Sequence, residues 1–401
     1  MVKKILHTSD WHIGRRLKAH ERYDEFAKFF EWLENLISIE HVDALLVAGD
    51  IFDNSTPSAK AQSLYYSFLG RIAGSNCRHI IITSGNHDSP AFIDAPKDLL
   101  KLCNVYVVGT PCENPEDEVI KLNDELIVCA VPYLRDRDIR TLKADDNIQD
   151  LARALQEGIA EHYRRVFERA KELQGNSNIP VIAMGHLFAK GGRYRNDEGV
   201  RSLYLGTAVE VRTEIFPEFL TYTALGHLHS PQKIGRDNIR YSGSPIAMNF
   251  GEVENKNAVY IIELDGKNLA GIREINVPVF QKLRQIRGNL DEITTELQKL
   301  IEQNESIWLE VVYTGSDPVG NLQDKLNELI KPYPLIEIFD IIDESKNFYN
   351  PTTIYEEYQT LENIKPMEMF KLLLDAQGIS QKQREAYIPM YEKILHKLEI
   401  D

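Results

Sequence analysis

The stretch Asp43-Ala44-Leu45-Leu46-Val47-Ala48-Gly49-Asp50-Ile51-Phe52-Asp53 joins an apolar run to a polar corner. Its five consecutive apolar residues, 44–48, show no polar alternation. Such a run is typical of a short strand that is buried on both faces in an α/β protein. Directly after the run, Gly49 introduces a turn and Asp50 presents a carboxylate. The stretch therefore predicts a buried strand that delivers an acidic side chain at its carboxyl end.

Four other apolar runs in the first 275 residues or so end in the same way. The polar corners that follow them are Thr8-Ser9-Asp10-Trp11-His12, Ser84-Gly85-Asn86-His87-Asp88, Gly185-His186 and Gly226-His227-Leu228-His229. Amphipathic stretches at 25–37 and 59–72 lie between such runs, and Pro57 after Ser55-Thr56 is a good helix start for the second. Alternating strands and helices predict an α/β architecture.

The corners carry residue types that bind divalent metals. One histidine on an apolar background is more often a core or surface residue than a ligand, but five strand ends with His, Asp or Asn are a different signal. Ligands of open α/β sheets gather where strand ends emerge together, so we expect one shared site. The candidate ligands are Asp10, His12, Asp50, Asn86, His87, His186, His227 and His229.

This set contains carboxylates, an amide and imidazoles but no thiolate, which suits manganese, iron or zinc better than magnesium or calcium alone. It is too large for one four-coordinate ion. Two ions that share a carboxylate would use all of these ligands. Such pairs of ions clamp the attacking and leaving oxygens in phosphoryl transfer. The pattern therefore predicts a phosphoester hydrolase with two metals.

The five corners, in this order, resemble the five motifs of the calcineurin-like metallophosphoesterases. The segments Leu6-His7-Thr8-Ser9-Asp10-Trp11-His12 and Tyr241-Ser242-Gly243-Ser244-Pro245, together with 47–53, resemble more closely the SbcD family. Members of that family are the nuclease subunits of bacterial SbcCD exonuclease complexes. The resemblance covers most of the chain. It implies an α/β sandwich of two central sheets flanked by helices, with a small α+β capping domain and a helical C-terminal tail.

The resemblance also implies a role for each motif residue. Asp10, His12, Asp50 and His229 would hold one metal, and Asp50 would bridge to a second metal held by Asn86, His186 and His227. His87 would not be a ligand but would face the scissile phosphate, where it stabilises charge or protonates the leaving oxygen. Asp53 would orient that imidazole, with a helix cap before Pro57 as the alternative role. Two divalent ions are expected, manganese first, with iron or zinc as alternatives.

Three segments are predicted along the chain. Residues 1–275 form the phosphoesterase domain, and residues 276–345 form a small α+β domain in which Asn289 caps a helix. By resemblance, this domain caps the DNA. Residues 346–401 form a linker and a helical tail with an apolar stripe. The tail residues expected to bind a partner are Met369, Phe370, Tyr387, Tyr391, Ile394, Leu395 and Leu398. Docking of this stripe on its own chain is an equal alternative.

Two basic loops follow the metal motifs and are candidates for contact with DNA backbone phosphates. Their candidate residues are Arg15, Arg16 and Lys18 after the first motif, and Arg193 and Arg195 after His186. Solvated loops are the alternative interpretation. No base-reading motif occurs, so binding to double-stranded and single-stranded DNA without sequence specificity is expected. The formal net charge of −15 opposes unaided DNA binding and predicts a partner or metals that compensate for it.

The composition is that of an ordinary globular protein, with 43% hydrophobic and 27% charged residues among 401. No apolar stretch is long enough to cross a membrane, and the N-terminus lacks the apolar core of a leader. The cysteines Cys77, Cys103, Cys112 and Cys129 have no metal-binding or redox spacing and suit a reducing compartment. We therefore expect a cytoplasmic, nucleoid-associated bacterial protein.

The favoured hypothesis is a two-metal DNA nuclease, active as a double-strand exonuclease and as an endonuclease on single strands and hairpins. Because the sequence has no phosphate-binding loop of the G-x-x-x-x-G-K-[ST] type, the ATPase implied by the resemblance is a partner, the coiled-coil protein SbcC. The resemblance also implies a homodimer and a role in DNA repair and replication-linked processing. The alternatives are a phosphatase or phosphodiesterase for a non-DNA substrate and a catalytically silent scaffold.

Overall fold

The computed structural model describes residues 3–18, 20–139, 148–193, 210–315 and 322–344, with residues 367, 370, 371, 374, 384 and 387–391 of the tail. It divides into two compact units, Met1–Leu283 and Arg284–Asp401. The division falls close to the predicted end of the first domain. The three predicted segments otherwise stay a prediction.

The first unit contains two six-stranded sheets and a two-stranded hairpin. Its strands are β1 (Lys4–Thr8), β2 (Arg16–Leu17), β3 (His20–Glu21), β4 (Ala44–Ala48), β5 (His79–Thr83), β6 (Val105–Val108), β7 (Val119–Leu122), β8 (Leu126–Ala130), β9 (Val181–His186), β10 (Tyr222–Gly226), β11 (Gln232–Ile234), β12 (Arg236–Tyr241), β13 (Ala258–Asp265) and β14 (Asn268–Asn276). Its helices are α1 (Tyr23–Glu40), α2 (Ala59–Ala73), α3 (Pro90–Asp94), α4 (Lys97–Lys101), α5 (Asp136–Ile139) and α6 (Ile148–Gln174).

Both large sheets are parallel at their centres. The first has the order β14-β13-β1-β4-β5-β6, in which β1, β4, β5 and β6 run parallel. The second has the order β11-β12-β10-β9-β8-β7, in which β12, β10, β9 and β8 run parallel. Parallel strands end at the same edge of a sheet, so the polar corners of each sheet emerge together.

The apolar side chains form three layers of core around the two sheets. Leu46 and Ala48 of β4 share a buried cluster with Met184 of β9 and Ala224 of β10, which fills the space between the sheets. A second cluster joins the first sheet to α1 and α2, and a third joins the second sheet to α6. The predicted sandwich of two central sheets flanked by helices is confirmed.

The helices begin and end where local chemistry permits. The hydroxyl of Ser58 accepts a hydrogen bond from the Ala61 amide and caps α2, so a cap by Asp53 is excluded for this helix. Helix α1 is capped after Glu40 by His41, which has a left-handed backbone and whose amide donates to the carbonyls of Ile37 and Ser38.

The second unit is a small α+β fold, as predicted. Its elements are β15 (Lys282–Gly288), which crosses the division, α7 (Leu290–Glu302), β16 (Ile307–Tyr313), α8 (Leu322–Ile330) and β17 (Ile336–Asp343). The strands form one sheet in the order β15-β16-β17, with β16 and β17 parallel. Asn289 caps α7 and forms a reciprocal capping box with Glu292, which confirms the predicted helix start.

The tail is described only in part. The rings of Phe370 and Tyr391 stack with centroids 4.0 Å apart, and Leu374 is buried. Tyr387 and Met390 are exposed, so part of the stripe packs on its own unit and part does not. The predicted partner residues Met369, Ile394, Leu395 and Leu398 lie outside the described residues. Within the described residues, no helix has both the length and the apolar character that a membrane crossing requires.

His7 in β1 makes the stability of the first unit sensitive to acid. The side chain is fully buried and its Nδ1 is hydrogen-bonded to the Tyr222 hydroxyl at 2.9 Å. Burial lowers the pKa of His7 to about 3, whereas an unfolded histidine has a pKa of about 6.5. Between these values the unfolded chain binds one more proton, so this residue costs about 1.4 kcal/mol of unfolding free energy per pH unit of acidification.

We predict that His7→Gln removes this contribution, so that the unfolding free energy falls by about 1.4 kcal/mol less per pH unit of acidification in the variant than in the wild type. Urea unfolding of both proteins at pH 7.5 and pH 5 measures it, and the decrease in unfolding free energy on acidification should be smaller in the variant. An equal decrease in both proteins would show that His7 is not neutral in the folded state.

Candidate two-metal site

The predicted ligands sit on sharply turned backbone at the strand ends. Asp10, His12, Asp50 and His227 have positive φ angles of 51°, 47°, 50° and 103°. Such values are uncommon for residues other than glycine and tend to mark functional sites. Here the turns follow β1, β4 and β10 directly, and they direct the side chains of both sheets toward one place.

The glycines of the motifs allow these turns to approach one another. A Cβ atom at Gly49 would overlap the His186 imidazole, and one at Gly85 would overlap the Asp50 carboxylate. A Cβ atom at Gly226 would overlap the carbonyl oxygen of Ala48. A larger residue at Gly49 or Gly226 would therefore push the ligand loops of the two sheets apart, and one at Gly85 would displace the Asp50 loop within the first sheet.

One group of ligand atoms comes from Asp10, His12 and His229, all of them buried. The Nε2 atoms of His12 and His229 lie 3.1 Å apart. The Asp10 carboxylate accepts the backbone amide of His227 at 3.0 and 3.1 Å, which fixes its orientation across the two sheets.

A second group comes from Asp10, Asp50 and His186, with Asn86 and His227 beside it. The Asn86 Oδ1 lies 3.0 Å from His186 Nε2 and 3.0 Å from His227 Nδ1. The Asp50 Oδ2 lies 3.3 Å from His186 Nε2 and 3.6 Å from His12 Nε2. The structure thus brings all seven predicted ligands together, and Asp50 lies between the two groups.

The tautomers of two histidines make the site suitable for cations. The Nδ1–H of His186 donates to the carbonyl of Ala48 at 2.9 Å, and that of His229 donates to the carboxylate of Glu252 at 2.8 Å. In each imidazole Nε2 is therefore the nitrogen that is directed into the site and that a metal would bind. The facing Nε2 atoms of His12 and His229, together with two carboxylates and an amide oxygen, are a donor set that fits divalent metals.

The pKa values of the ligand side chains are also those of a site that binds cations. Burial raises the pKa of Asp10 to about 6, against the opposing effect of His186 and His229. Burial lowers the pKa of each imidazole, but Asp50 and Asp10 together with the Ala48 carbonyl raise the pKa of His186 to about 9, and Glu252 together with Asp10 and Asp50 raises that of His229 to about 9. Metals bind the deprotonated forms of these ligands, so metal uptake at neutral pH displaces protons.

His87 lies against this cluster and forms, with His12 and Asp53, a third group of potential ligand atoms. Its backbone amide donates to Asp50 Oδ1 at 2.9 Å, and its Nδ1 is 2.8 Å from the main-chain carbonyl oxygen of Asp53. This carbonyl, and not the expected carboxylate, fixes the imidazole. The Asp53 carboxylate instead accepts Arg15 Nη1 at 3.1 Å.

Two acidic residues support the site although sequence reasoning assigned them no role. Glu252 is fully buried, and its second oxygen accepts the amide of Met248 at 2.8 Å. Asp88 accepts the amides of Gly85, Ile51 and Phe52, so it ties the Asp50 loop to the Asn86 loop. Asp88 belongs to a recognised motif, whereas nothing distinguishes Glu252 among 61 acidic residues.

Only some of the basic residues that are predicted to contact DNA lie near the first group of ligands. Arg15 is tied to Asp53, and Arg16 and Lys18 are exposed on the hairpin of β2 and β3. Arg193 is exposed after β9, and its amide donates to Gln232 Oε1 at 2.8 Å. Arg195 lies outside the described residues.

Glu252 gives a test of the site that does not depend on turnover. Both of its carboxylate oxygens accept hydrogen bonds, whereas a glutamine offers one acceptor, so Glu252→Gln must weaken the hold on His229. We predict about a tenfold loss of Mn²⁺ affinity, the lower end of the usual cost for such a partner, measured by titration of the purified chain. The exposed neighbour Glu254→Gln is the matched control and should bind Mn²⁺ as the wild type does. Equal affinities in all three proteins would show that Glu252 does not support a metal ligand.

Comparisons with known proteins agree with this site. Residues 3–231 match the calcineurin-like phosphoesterase family, and residues 279–378 match the family described as type 5 capsule protein repressor C-terminal domain. A relative from Escherichia coli K12, the D subunit of the nuclease SbcCD, is 30% identical over 98% of both chains. The D subunit of the Rhodobacter capsulatus nuclease is 33% identical over 83% of this chain and 85% of its own, and that of Bacillus subtilis is 28% identical over 94% and 99%.

These matches span nearly the whole chain and include every ligand loop described above. The chain belongs to the calcineurin-like phosphoesterases and, within them, to the family of D subunits of SbcCD nucleases.

Proposed function

We propose that this protein is the nuclease subunit of an SbcCD-type complex and hydrolyses phosphodiester bonds of DNA with two divalent metals. The observation that carries the proposal is the position of the Asp50 carboxylate between His12 and His186, with the other ligands grouped on either side. Two ions bound there would activate water and neutralise the charge of a phosphate. We propose manganese as the resident ion because the donor set contains imidazoles, carboxylates and an amide without thiolates.

The protein groups then orient the substrate and transfer a proton. The Asp53 carbonyl holds Nδ1 of His87, so the Nε2 of this imidazole is the nitrogen that can face a phosphodiester bound at the site. A positioned imidazole can protonate the leaving oxygen or stabilise charge on the phosphate. His87 is nearly buried, which limits competing contacts with water.

DNA contact is proposed for the basic loops next to the site. Arg16 and Lys18 project from the hairpin that follows the first metal motif, and Arg15 lies beside Asp53. Arg193 and Arg195 are the second proposed contact. The chain as a whole carries a net charge of −15, so these local cations must hold the backbone phosphates against a general repulsion.

We propose an ATPase partner and a homodimer because the chain belongs to the family of D subunits of SbcCD nucleases. An SbcC-type ATPase supplies ATP hydrolysis, and the tail with Phe370, Tyr387 and Tyr391 binds it. Exposure of Tyr387 and Met390 beside a buried Leu374 suits a tail that keeps part of its apolar surface for a partner. A homodimer is also proposed, and together these parts act in repair and replication-linked processing of double-strand ends, single strands and hairpins. A phosphatase acting on a non-DNA substrate is not favoured, because the relatives that match the whole chain are nuclease subunits.

His87→Gln tests the proposed chemistry. The variant cannot donate a proton as an imidazolium but is close to histidine in size, so Mn²⁺ binding should be retained. We predict a loss of DNA cleavage of about 100-fold or more, the usual contribution of a positioned acid or base. Cleavage of linear double-stranded and single-stranded DNA with Mn²⁺ is measured, with the chain alone and with its ATPase partner.

The matched control is His41→Asn. His41 is exposed at the end of α1 in a left-handed conformation that asparagine tolerates, so this variant should cleave DNA as the wild type does. A fully active His87→Gln protein would contradict the role of His87. A wild-type protein that binds manganese and hydrolyses small diesters but no DNA, even with the partner, would contradict the nuclease function.

The proposed contact between the β2–β3 hairpin and DNA is tested by the salt dependence of DNA affinity. Arg16→Ala with Lys18→Ala should weaken DNA binding and reduce the slope of log affinity against log salt by about 0.7–0.9 for each phosphate that the variant no longer neutralises. Binding is measured in Ca²⁺ at several salt concentrations. Arg169→Ala with Lys171→Ala on α6 removes the same formal charge and should leave the slope unchanged. The same slope in both double variants would show that the hairpin does not contact phosphates.

A further inference from the structure

A cleft lies beside the second group of ligands and has no role in the site as described so far. It is partly open to solvent, and its walls include the ligands His186 and His227. Tyr133 stands next to both of them, with its ring centroid 6.1 Å from that of His186 and 6.4 Å from that of His227. A group bound in this cleft would therefore be adjacent to the reacting phosphate.

The walls of the cleft suit a flat uncharged group better than a phosphate. Besides the two ligand histidines, its described lining is mainly apolar or aromatic and includes Leu187, Phe188 and Tyr163. The one charged residue of that lining, apart from the histidines, is acidic, Asp136. Apolar and aromatic walls accept the face of a nucleobase.

Tyr133 is held in place by the loop that carries the catalytic histidine. Its backbone amide donates to the carbonyl of Ser84 at 2.9 Å. Two residues later, Nη2 of Arg135 donates to the carbonyl of Asp88 at 2.9 Å. The segment after β8 is thus fixed to residues 84–88, and the aromatic ring needs no rearrangement to meet a substrate. The ring itself is half-buried, so part of its surface stays accessible.

From this geometry we propose that Tyr133 is a substrate-positioning residue, whose ring stacks on an unpaired nucleobase next to the scissile phosphate in the cleft of Leu187 and Phe188. This inference rests on the proposed nuclease function and adds a base-binding subsite to it. Stacking on an aromatic ring tolerates every base because each base presents a π-face. The subsite would therefore favour unpaired DNA near the metals without imposing sequence specificity.

The test compares two single-stranded oligonucleotides of equal length. One is normal DNA, and the other has the same backbone but carries tetrahydrofuran abasic residues throughout. The full-length chain, with and without its ATPase partner, is assayed with Mn²⁺ as wild type, Tyr133→Leu and Tyr133→Phe. Thermal unfolding and manganese titration show that each variant folds and binds metal as the wild type does.

We expect Tyr133→Leu to raise KM for normal DNA at least about fivefold, the weaker end of the measured value of base stacking. Its KM for the abasic strand should stay at the wild-type value, and Tyr133→Phe should behave as the wild type on both strands because the ring is retained. An equal loss of Tyr133→Leu on both strands would overturn the inference and assign Tyr133 to the support of the metal ligands. Wild-type kinetics of Tyr133→Leu on normal DNA would also overturn it. Failure of the nuclease proposal is distinct, since the wild type would then cleave neither strand while binding manganese.

Discussion

The close approach of two strand ends from different sheets is the constraint on which the site depends. Strand β4 belongs to the first sheet and β9 to the second, yet Asp50 after β4 lies 3.3 Å from His186 at the end of β9. This contact requires glycine at 49 and 85, because a side chain at either position would overlap one of the two partners. The apolar layer between the sheets, which includes Ala48 and Met184, holds the strands in the alignment that the contact needs.

Several consequences follow from gathering acidic and imidazole groups in a buried place. Without cations, burial works against every charge in the cluster, and the carboxylates and imidazoles offset this cost by pairing with each other. The high pKa of His186 and His229 expresses that pairing. Metals would replace the shared protons, and the Glu252 and Ala48 acceptors already hold these two imidazoles in the tautomer that a metal requires.

Much of this arrangement could be predicted from local sequence. Short apolar runs that end in Gly-Asp, Gly-Asn-His or Gly-His specify both the strand and the residue that follows it, so the α/β sandwich and the gathering of these side chains at one place were predictable. Glu252 was not, because its role depends on a long-range contact with His229 that no local pattern encodes. The position of Tyr133 beside His186 and His227 was not predictable either, because its segment has no ligand residue. For Asp53 the contact with His87 runs through the main-chain carbonyl, and its catalytic role stays a prediction.

We propose that two metals occupy the site on either side of Asp50. Crystals of the chain grown with Mn²⁺ and measured at the manganese absorption edge test it most directly. We expect two anomalous peaks, one beside Asp10, His12 and His229 and one beside Asn86, His186 and His227, with the Asp50 carboxylate contacting both. A single peak, or two peaks that do not share Asp50, would contradict it.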